Sequence, residues 1–221
     1  YLAYDDAAGG PRPAVLVVHE WWGLGEHARD SARDLAEMGY VGFAVDMYGA
    51  GKLTDDPGEA AAWSGTLKND PAAAVQRFRA ALDLVRAHPR VDAGRVAALG
   101  YCFGGTMVLE MARSGVELDG VVSFHGGLGS EVPEAERAYA PRFLVLHGAD
   151  DPFVSEAELD AFRAEMQAGG ADWQLVMYGN AVHSFTNPDA DGSLEGAQYD
   201  ATAAARSWRA LGVFLGELYD E

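Results

Sequence analysis

Cysteine is nearly absent from this sequence, since Cys102 is the single one among 221 residues. One cysteine excludes an internal disulfide and a multi-cysteine metal site, and leaves a free thiol to explain. Positive charge is also scarce, because 16 lysines and arginines stand against 34 acidic residues and give a formal net charge of −18. That charge argues against nucleic acid and anionic membranes as partners. No apolar run approaches the length that crosses a bilayer.

The composition is that of a folded protein, with 49% hydrophobic residues and 10% aromatic ones. The length suits one core, so we expect a single domain over residues 1–221. Because the chain begins at Tyr1, the strand predicted at Leu2–Tyr4 is expected to be one arm of a truncated hairpin, with its partner before residue 1. No signal peptide is visible, although one could have been removed upstream, and we expect a cytoplasmic location.

Short apolar runs take turns with amphipathic stretches along the whole chain. Buried strands are predicted at residues 14–18, 41–45, 96–99, 120–124, 143–146 and 173–178. Helices are predicted at residues 28–38, 60–67, 71–87, 106–114, 155–168 and 195–218. Unalternating apolar strands are typical of parallel strands covered on both faces. The order therefore predicts a doubly wound α/β fold with a mostly parallel sheet, whose site lies in loops at the carboxyl ends of the strands.

A strand, a sharp turn and a helix meet at Cys102. The turn reads Gly100-Tyr101-Cys102-Phe103-Gly104-Gly105, and Gly-x-Cys-x-Gly is the nucleophile elbow with sulfur in place of the serine oxygen. Such a turn strains the nucleophile's backbone and leaves no room for side chains two positions before and after it. The thiol would lie at a helix N-terminus, where free N–H groups favour an anion. An ordinary buried thiol is the alternative, and the glycine spacing disfavours it.

Two further reactive groups follow later strands. Asp151 lies in the loop after strand 143–146, and His183 lies in the loop after the last strand. The order Cys102, Asp151, His183 is that of the α/β-hydrolases. A histidine can move the thiol proton, and an acid can orient the histidine. Asp150 competes with Asp151, which we favour because the pattern His-Gly-x-x-Asp-x-x-Val fits it; each could instead be an ordinary loop residue.

Glu20 directly follows the first central strand, where such hydrolases form half of their oxyanion hole. The backbone N–H groups of Trp21 and Phe103 are the predicted donors. A carboxylate beside a thiol can accept its proton and keep it as SH until substrate arrives; the alternative is a solvated loop acid. A zinc site at His19-Glu20 is excluded, because Gly23 stands where a second histidine would be required.

Together these residues resemble the dienelactone hydrolase family. The similarity runs from about residue 2 to residue 218 and is most specific at residues 100–105 and 183–185. The resemblance implies an α/β-hydrolase fold and a cysteine hydrolase that opens lactones or cleaves esters through an acyl-thiol intermediate. It also implies that Glu20 helps to control the protonation of Cys102, and that no metal or organic cofactor takes part.

The sequence departs from that family in the charge of its pocket. The best-known members hold the carboxylate of their lactone with two arginines, one of them four residues after the catalytic histidine. That position is Asn187 here, and residues 47–76 contain no arginine where the other should lie. We therefore expect a neutral or largely apolar ester or lactone. The pocket is predicted to be lined by Trp21, Trp22, Tyr48, Phe103, Phe124, His125, Phe185 and Asn187, although several of these could simply fill the core.

Three functions fit these residues. The first is a thiol hydrolase of small esters or lactones, acting as a monomer or homodimer on a small-molecule substrate. The second is a non-catalytic small-molecule-binding member of the same fold, which the complete set of Cys102, Asp151, His183 and Glu20 disfavours. The third is an acyl transferase that uses the same residues with an acceptor other than water. His27 is expected to be solvated on its helix.

Overall fold

The computed structural model describes residues 1–7 and 9–219. In this part of the chain, seven strands form one sheet in the order β1-β3-β2-β4-β5-β6-β7, all parallel except β1, which runs antiparallel to β3. The strands are β1 (Leu2–Ala3), β2 (Arg12–Val18), β3 (Val41–Val45), β4 (Val91–Tyr101), β5 (Gly120–Phe124), β6 (Arg142–Gly148) and β7 (Trp173–Tyr178).

Helices cover both faces of the sheet. They are α1 (Glu26–Glu37), α2 (Pro57–Lys68), α3 (Pro71–Arg86), α4 (Phe103–Arg113), α5 (Glu156–Ala168) and α6 (Ala201–Tyr219), with a 3₁₀ turn at Glu134–Glu136. In β2, Leu16 belongs to the core under α2 to α5, whereas its neighbours Val15 and Val17 belong to the core under α1 and α6. Side chains on both faces of one strand are thus buried, as the unalternating apolar runs predict. The doubly wound α/β prediction is confirmed.

Two predicted helix starts are confirmed by their caps. Asp70 accepts the Ala73 N–H at 3.0 Å and is followed by Pro71 at the first helical position of α3. Ser155 accepts the Glu158 N–H at 3.2 Å ahead of α5. The Glu158 carboxylate does not complete a capping box, because it accepts two N–H groups from residues 128–129 instead.

One prediction differs from the structure near the end of the chain, and one is not tested at its beginning. The last helix begins at Ala201 and not at residue 195, because the stretch before it binds the loop after β7: Gly196 O accepts the His183 N–H at 3.0 Å, and Gln198 N donates to His183 O at 2.9 Å. Strand β1 pairs with β3, placing Leu2 opposite Phe43. The hairpin partner expected for β1 stays a prediction.

The middle of the sheet contains the point where strand order reverses. From β2 the chain moves outward to β3, and from β4 it moves the other way to β5. Loops that leave two adjacent parallel strands in opposite directions open a crevice at their carboxyl ends. Glu20 follows β2 and Cys102 follows β4, so the topology places both at this crevice.

Candidate active site

Cys102 lies at a tight turn between β4 and α4, with φ 52° and ψ −115°. The flanking glycines allow this turn. A Cβ at Gly100 would come within 2.1 Å of Gly104 O, and a Cβ at Gly104 would come within 2.2 Å of Val18 O. Backbone packing therefore forces Cys102 into a conformation that residues with a Cβ rarely adopt. The turn presents the Cys102 side chain, which is partly exposed, at the N-terminus of α4.

His183 lies between an acid and the thiol. Its Nδ1 is 2.8 Å from Asp151 Oδ2, and the Cys102 sulfur is near enough to interact with the imidazole electrostatically. Burial alone lowers the His183 pKa, but the Cys102 sulfur and the Asp151 carboxylate outweigh burial and raise this pKa to about 10. Asp151 is buried, whereas Asp150 is exposed, so the acid beside the imidazole is Asp151.

The peptide between Glu20 and Trp21 is held by a buried histidine. His19 Nδ1 is 2.5 Å from Glu20 O, and His19 Nε2 is 3.2 Å from the Met47 amide nitrogen. A carbonyl only accepts and an amide N–H only donates, so His19 is neutral with its proton on Nδ1. Burial lowers the His19 pKa, which also favours the neutral ring. Because a trans peptide points its C=O and N–H in opposite directions, the Trp21 N–H points away from His19.

The peptide between Cys102 and Phe103 is anchored in the same way. Cys102 O accepts the Thr106 N–H at 3.1 Å, as the first hydrogen bond of α4. The Phe103 N–H therefore points away from the helix. Among the described residues, the N–H groups of Trp21 and Phe103 have no backbone or side-chain acceptor. Two such donors next to a reactive side chain are what an oxyanion hole requires.

The Glu20 carboxylate is held by the loop that carries His183. Its Oε1 accepts the Ser184 hydroxyl at 3.2 Å and its Oε2 accepts the Asn187 side-chain amide at 2.5 Å. The Asn187 amide is itself oriented, because its Oδ1 accepts the Asp189 N–H at 3.0 Å. Ser184 is not predicted from the sequence as a partner of Glu20, and Asn187 is predicted only as a pocket residue. The predicted control of thiol protonation by Glu20 stays a prediction.

A cleft of about 960 Å³ opens over these groups and is lined by Cys102, His183 and Glu20. Trp21, Trp22, Phe103 and Asn187 line it, as the sequence analysis expected. Phe124 and Phe185 do not, because both are fully buried: Phe124 packs on Tyr101, and Phe185 packs on Tyr178. The prediction that these two rings face the substrate is wrong.

Tyr48 and His125 are also corrected by the structure. The Tyr48 ring packs on Phe103, and its hydroxyl donates to Trp21 O at 2.9 Å, so it supports the wall of the cleft from behind. His125 is fully buried beneath the nucleophile, and both of its ring nitrogens have partners inside the protein. It is not available as a substrate contact. His27, expected to be solvated, instead packs on Tyr101 with ring centroids 4.4 Å apart.

Comparison with known proteins assigns the family. The family model described as the dienelactone hydrolase family matches residues 1–219. The chain belongs to the dienelactone hydrolase family.

Three relatives align with this chain over most of their own length. A protein of Aquifex aeolicus with the provisional name carboxymethylenebutenolidase is 29% identical over 94% of this chain and 88% of its own. A solved structure named m3DLH is 44% identical, with a TM-score of 0.93 over 99% of this chain and 91% of the other. A dienelactone hydrolase-like promiscuous phosphotriesterase from metagenomic libraries is 40% identical, with the same TM-score and coverage. The resemblance and the α/β-hydrolase fold are confirmed, and the chain is an enzyme of the ester and lactone hydrolase class.

The cleft of this dienelactone hydrolase family member is acidic. Apart from His183 beside the Cys102 thiol, its charged lining consists of one lysine, Lys68, against five acids: Glu20, Glu26, Asp55, Asp189 and Asp191. No arginine of the described residues lines it. Arg77 approaches the loop after β3, but its guanidinium donates to Met47 O and Tyr48 O at 2.8 Å. The cleft therefore lacks the arginine contacts for a substrate carboxylate.

Exposed apolar side chains stand around the mouth of the cleft. They are Leu53, Phe153 and Leu194, which are 59%, 54% and 38% exposed. Leu53 forms an antiparallel backbone bridge with Gly23, in the loop after β2 that carries Glu20 and Trp21. The Phe153 ring packs edge-on against His183. Apolar side chains thus flank the nucleophile on two sides. The sequence analysis missed Leu53 because residues 52–69 show little periodic pattern.

Neither a metal cluster nor a membrane span is found within residues 1–7 and 9–219. No group of three or more His, Cys, Asp or Glu side chains there is arranged to hold a metal ion. Among the helices of the same residues, none is both long and apolar enough to cross a bilayer. The absence of a cofactor stays a prediction that the resemblance implies.

Proposed function

We propose that this enzyme is a cysteine hydrolase of small neutral esters and lactones. Cys102 sulfur attacks the carbonyl carbon while its proton is held by His183, and the oxyanion accepts the N–H groups of Trp21 and Phe103. The C–O bond to the leaving group then breaks, and His183 gives the leaving oxygen its proton. Water attacks the resulting thioester, with His183 taking a proton from it, and breakdown releases the carboxylic acid and the thiol.

The observation that carries the proposal is the position of His183 between Asp151 and Cys102. The 2.8 Å contact to Asp151 fixes the imidazole, and the raised His183 pKa reflects stabilisation of a charged imidazolium beside the sulfur. An imidazolium next to sulfur favours the thiolate, which is the nucleophilic form of cysteine. The strained turn at Cys102 and the N–H groups of Trp21 and Phe103 also support the proposal, because the turn presents the sulfur and the N–H groups can stabilise the oxyanion.

Removal of the sulfur tests the proposal. We expect Cys102→Ala to lower kcat for a short p-nitrophenyl ester by about 10⁴-fold, while circular dichroism shows the fold retained. Ser207→Ala is the matched control, because it removes a buried hydroxyl on α6 that donates to Ala204 O outside the cleft, and it should leave turnover unchanged. Full hydrolysis by Cys102→Ala would end the cysteine mechanism.

The charge of the cleft defines the substrate class. Five acids and one lysine line it, so a carboxylate on the substrate meets repulsion with no arginine to offset it. We expect a neutral ester to be hydrolysed with a kcat/KM at least about tenfold above that of the same ester carrying a carboxylate. Steady-state kinetics on such a matched pair measures this ratio, and preference for the carboxylate would contradict the assignment.

A neutral phosphotriester is a second candidate substrate. The 40% identical relative is a promiscuous phosphotriesterase, and an uncharged triester suits an acidic cleft. Cys102 sulfur would attack phosphorus and expel an aryloxide, and water would then cleave the S–P bond to give a phosphodiester and the free thiol. The test is release of nitrophenol from a dialkyl nitrophenyl phosphate by the wild type and by Cys102→Ala. No release by the wild type, or equal release by both proteins, would discard this activity.

A further inference from the structure

His125 is a buried titratable residue for which the proposed reaction has no use. It directly follows β5, its backbone is left-handed with φ 41°, and its side chain is fully buried. A bulky residue held at positive φ is uncommon and persists only where its surroundings require it. The contacts of the buried His125 side chain therefore stabilise this backbone conformation.

The hydrogen bonds of His125 determine its protonation. Its Nδ1 lies 3.2 Å from the amide nitrogen of Cys102, an N–H that is shared with Phe124 O at 3.0 Å. Because an amide N–H only donates, Nδ1 must accept and the ring proton must lie on Nε2. Nε2 then donates to the Thr186 hydroxyl at 2.8 Å. Burial and the neighbouring histidines lower the His125 pKa well below its ordinary value, which agrees with this neutral form.

Thr186 belongs to the loop that carries the base. It is three residues from His183, is buried, and has a second contact at 3.3 Å to His27 Nε2. The same loop also packs on the His125 ring directly, because the rings of His183 and Phe185 stand edge-on to it at 5.2 and 5.1 Å between centroids. Three residues of one loop thus dock on a single imidazole beneath the nucleophile.

We propose that His125 and Thr186 are positioning residues that set the distance between the nucleophile and the base. The path runs from the Cys102 N–H to His125 Nδ1, through the ring, and from Nε2–H to Thr186 Oγ1 on the base loop. Both residues are buried and neither lines the cleft, so loss of their hydrogen bond should misplace His183 relative to Cys102 and lower kcat rather than raise KM. This inference rests on the proposed cysteine mechanism.

Two variants isolate the hydroxyl. Thr186→Ser and Thr186→Ala both lose the methyl group, but only Thr186→Ser keeps the oxygen that accepts from His125. We expect kcat of Thr186→Ala to lie about tenfold below that of Thr186→Ser, with KM values within twofold of each other. Ser207→Ala again serves as control, because it removes the same single oxygen from a buried site on α6. Assays run well below every thermal midpoint, so a loss of stability common to the alanine variants leaves the comparison intact.

The outcomes distinguish the positioning role of Thr186 from the proposed cysteine mechanism on which it rests. Equal kcat for Thr186→Ser and Thr186→Ala would overturn the positioning role, and so would a loss confined to KM. An equal loss of kcat in Ser207→Ala would show a merely structural effect and overturn it as well. Retained turnover in Cys102→Ala would instead remove the cysteine mechanism, whatever Thr186 does.

Discussion

Cys102 and His183 meet in one cleft, but different kinds of contact hold them there. The elbow (residues 100–105) is fixed by backbone packing, since a Cβ at Gly100 or Gly104 would overlap carbonyl groups of neighbouring elements. The base loop (residues 179–200) has backbone hydrogen bonds within itself, but its contacts to the other parts of the site are side-chain hydrogen bonds, among them Asp151 to His183 at 2.8 Å. The elbow is therefore sensitive to added atoms, and the base loop is sensitive to the loss of single polar atoms.

The difference also concerns distance along the chain. The elbow is a local unit in which strand, turn and helix follow one another within residues 91–113. In the base loop, Ser184 and Asn187 bind Glu20 across 164 and 167 residues, and Thr186 binds His125 across 61. The elbow is thus a local unit whose Gly104 also packs on Val18 of β2, whereas the base loop is joined to the site by side-chain pairs that the fold brings together.

The largest expected effect follows from adding one carbon to the elbow. Gly104→Ala would place a Cβ 2.2 Å from Val18 O and 2.6 Å from His19 O, both backbone atoms that cannot move aside. We expect it to lower the free energy of unfolding by about 3 kcal/mol and to abolish turnover. Chemical denaturation measures the first quantity and an ester assay the second.

The matched control is Gly65→Ala in the middle of α2, where an added Cβ has nothing within 4 Å. This change should raise stability by about 0.4–1 kcal/mol and leave activity alone. Similar unfolding curves for Gly104→Ala and Gly65→Ala would show that backbone packing does not hold the elbow.

The second largest effect is expected from removing the negative charge of Asp151, which supports His183 in the base loop. Asp151→Asn keeps the size of the side chain, but it removes the carboxylate that orients His183 and stabilises its imidazolium. We expect kcat to fall by about 10³-fold or more, with the fold intact. A kcat within tenfold of the wild-type value would contradict the assignment of Asp151.

The same variant should change how stability depends on pH. The His183 pKa is raised from 6.5 to about 10 in the folded protein, by the Cys102 sulfur and by Asp151 against the effect of burial. The stabilisation from its proton is therefore fully present below pH 6.5 and is lost as pH rises to about 10. Without the Asp151 charge the loss occurs at lower pH. Denaturation curves of both proteins between pH 6.5 and 10 measure the difference, which should shrink as pH rises.

The parts of the site that the sequence predicts are those with a local pattern. Gly100 and Gly104 flank Cys102 at fixed spacing, and Asp151 and His183 each follow a short apolar run. Such patterns reveal strands, turns and chain order, and these are enough to bring the three groups to one edge of the sheet.

The parts that the sequence does not predict depend on side-chain direction and on distant partners. Phe124 ends β5 and points into the core under α1 and α6, whereas a shift of one residue would turn it to the other face. Ser184 and Thr186 lie in the base loop without periodic pattern, and their roles follow from Glu20 and His125, far away in sequence. Single-sequence patterns contain no signal for such pairs.

A moderate effect is expected from exchanging donors and acceptors around Glu20. Glu20→Gln replaces one of the two oxygens that accept from Asn187 at 2.5 Å and from Ser184 at 3.2 Å by an NH₂ donor, at a buried position. The charged acceptor of the Asn187 amide is lost, and an NH₂ that faces Asn187 leaves a buried donor unsatisfied, so we expect kcat to fall by about tenfold. Adding Asn187→Asp restores an acceptor opposite the new amide while still accepting the Asp189 N–H.

A double-mutant cycle measures this exchange. The double variant should recover part of the activity and stability that Glu20→Gln alone loses. Strictly additive losses would show that the contact between Glu20 and Asn187 does not hold the base loop to the loop after β2.

The smallest effect is expected at the exposed rim of the cleft, where neither backbone packing nor buried hydrogen bonds operate. Asp55 lines the cleft but is exposed to solvent, so its repulsion of an anionic substrate is weakened by water and salt. We expect Asp55→Asn to raise kcat/KM for the carboxylate-bearing ester by about twofold at low ionic strength, and to leave the neutral ester unchanged. Asp83→Asn removes the same charge from an exposed position of α3 outside the cleft and should change neither ester. The gain should vanish in 0.5 M salt, since screening removes interactions between exposed charges. A gain on both esters, or one that persists in salt, would mean that Asp55 acts by contact with the substrate and not through its charge.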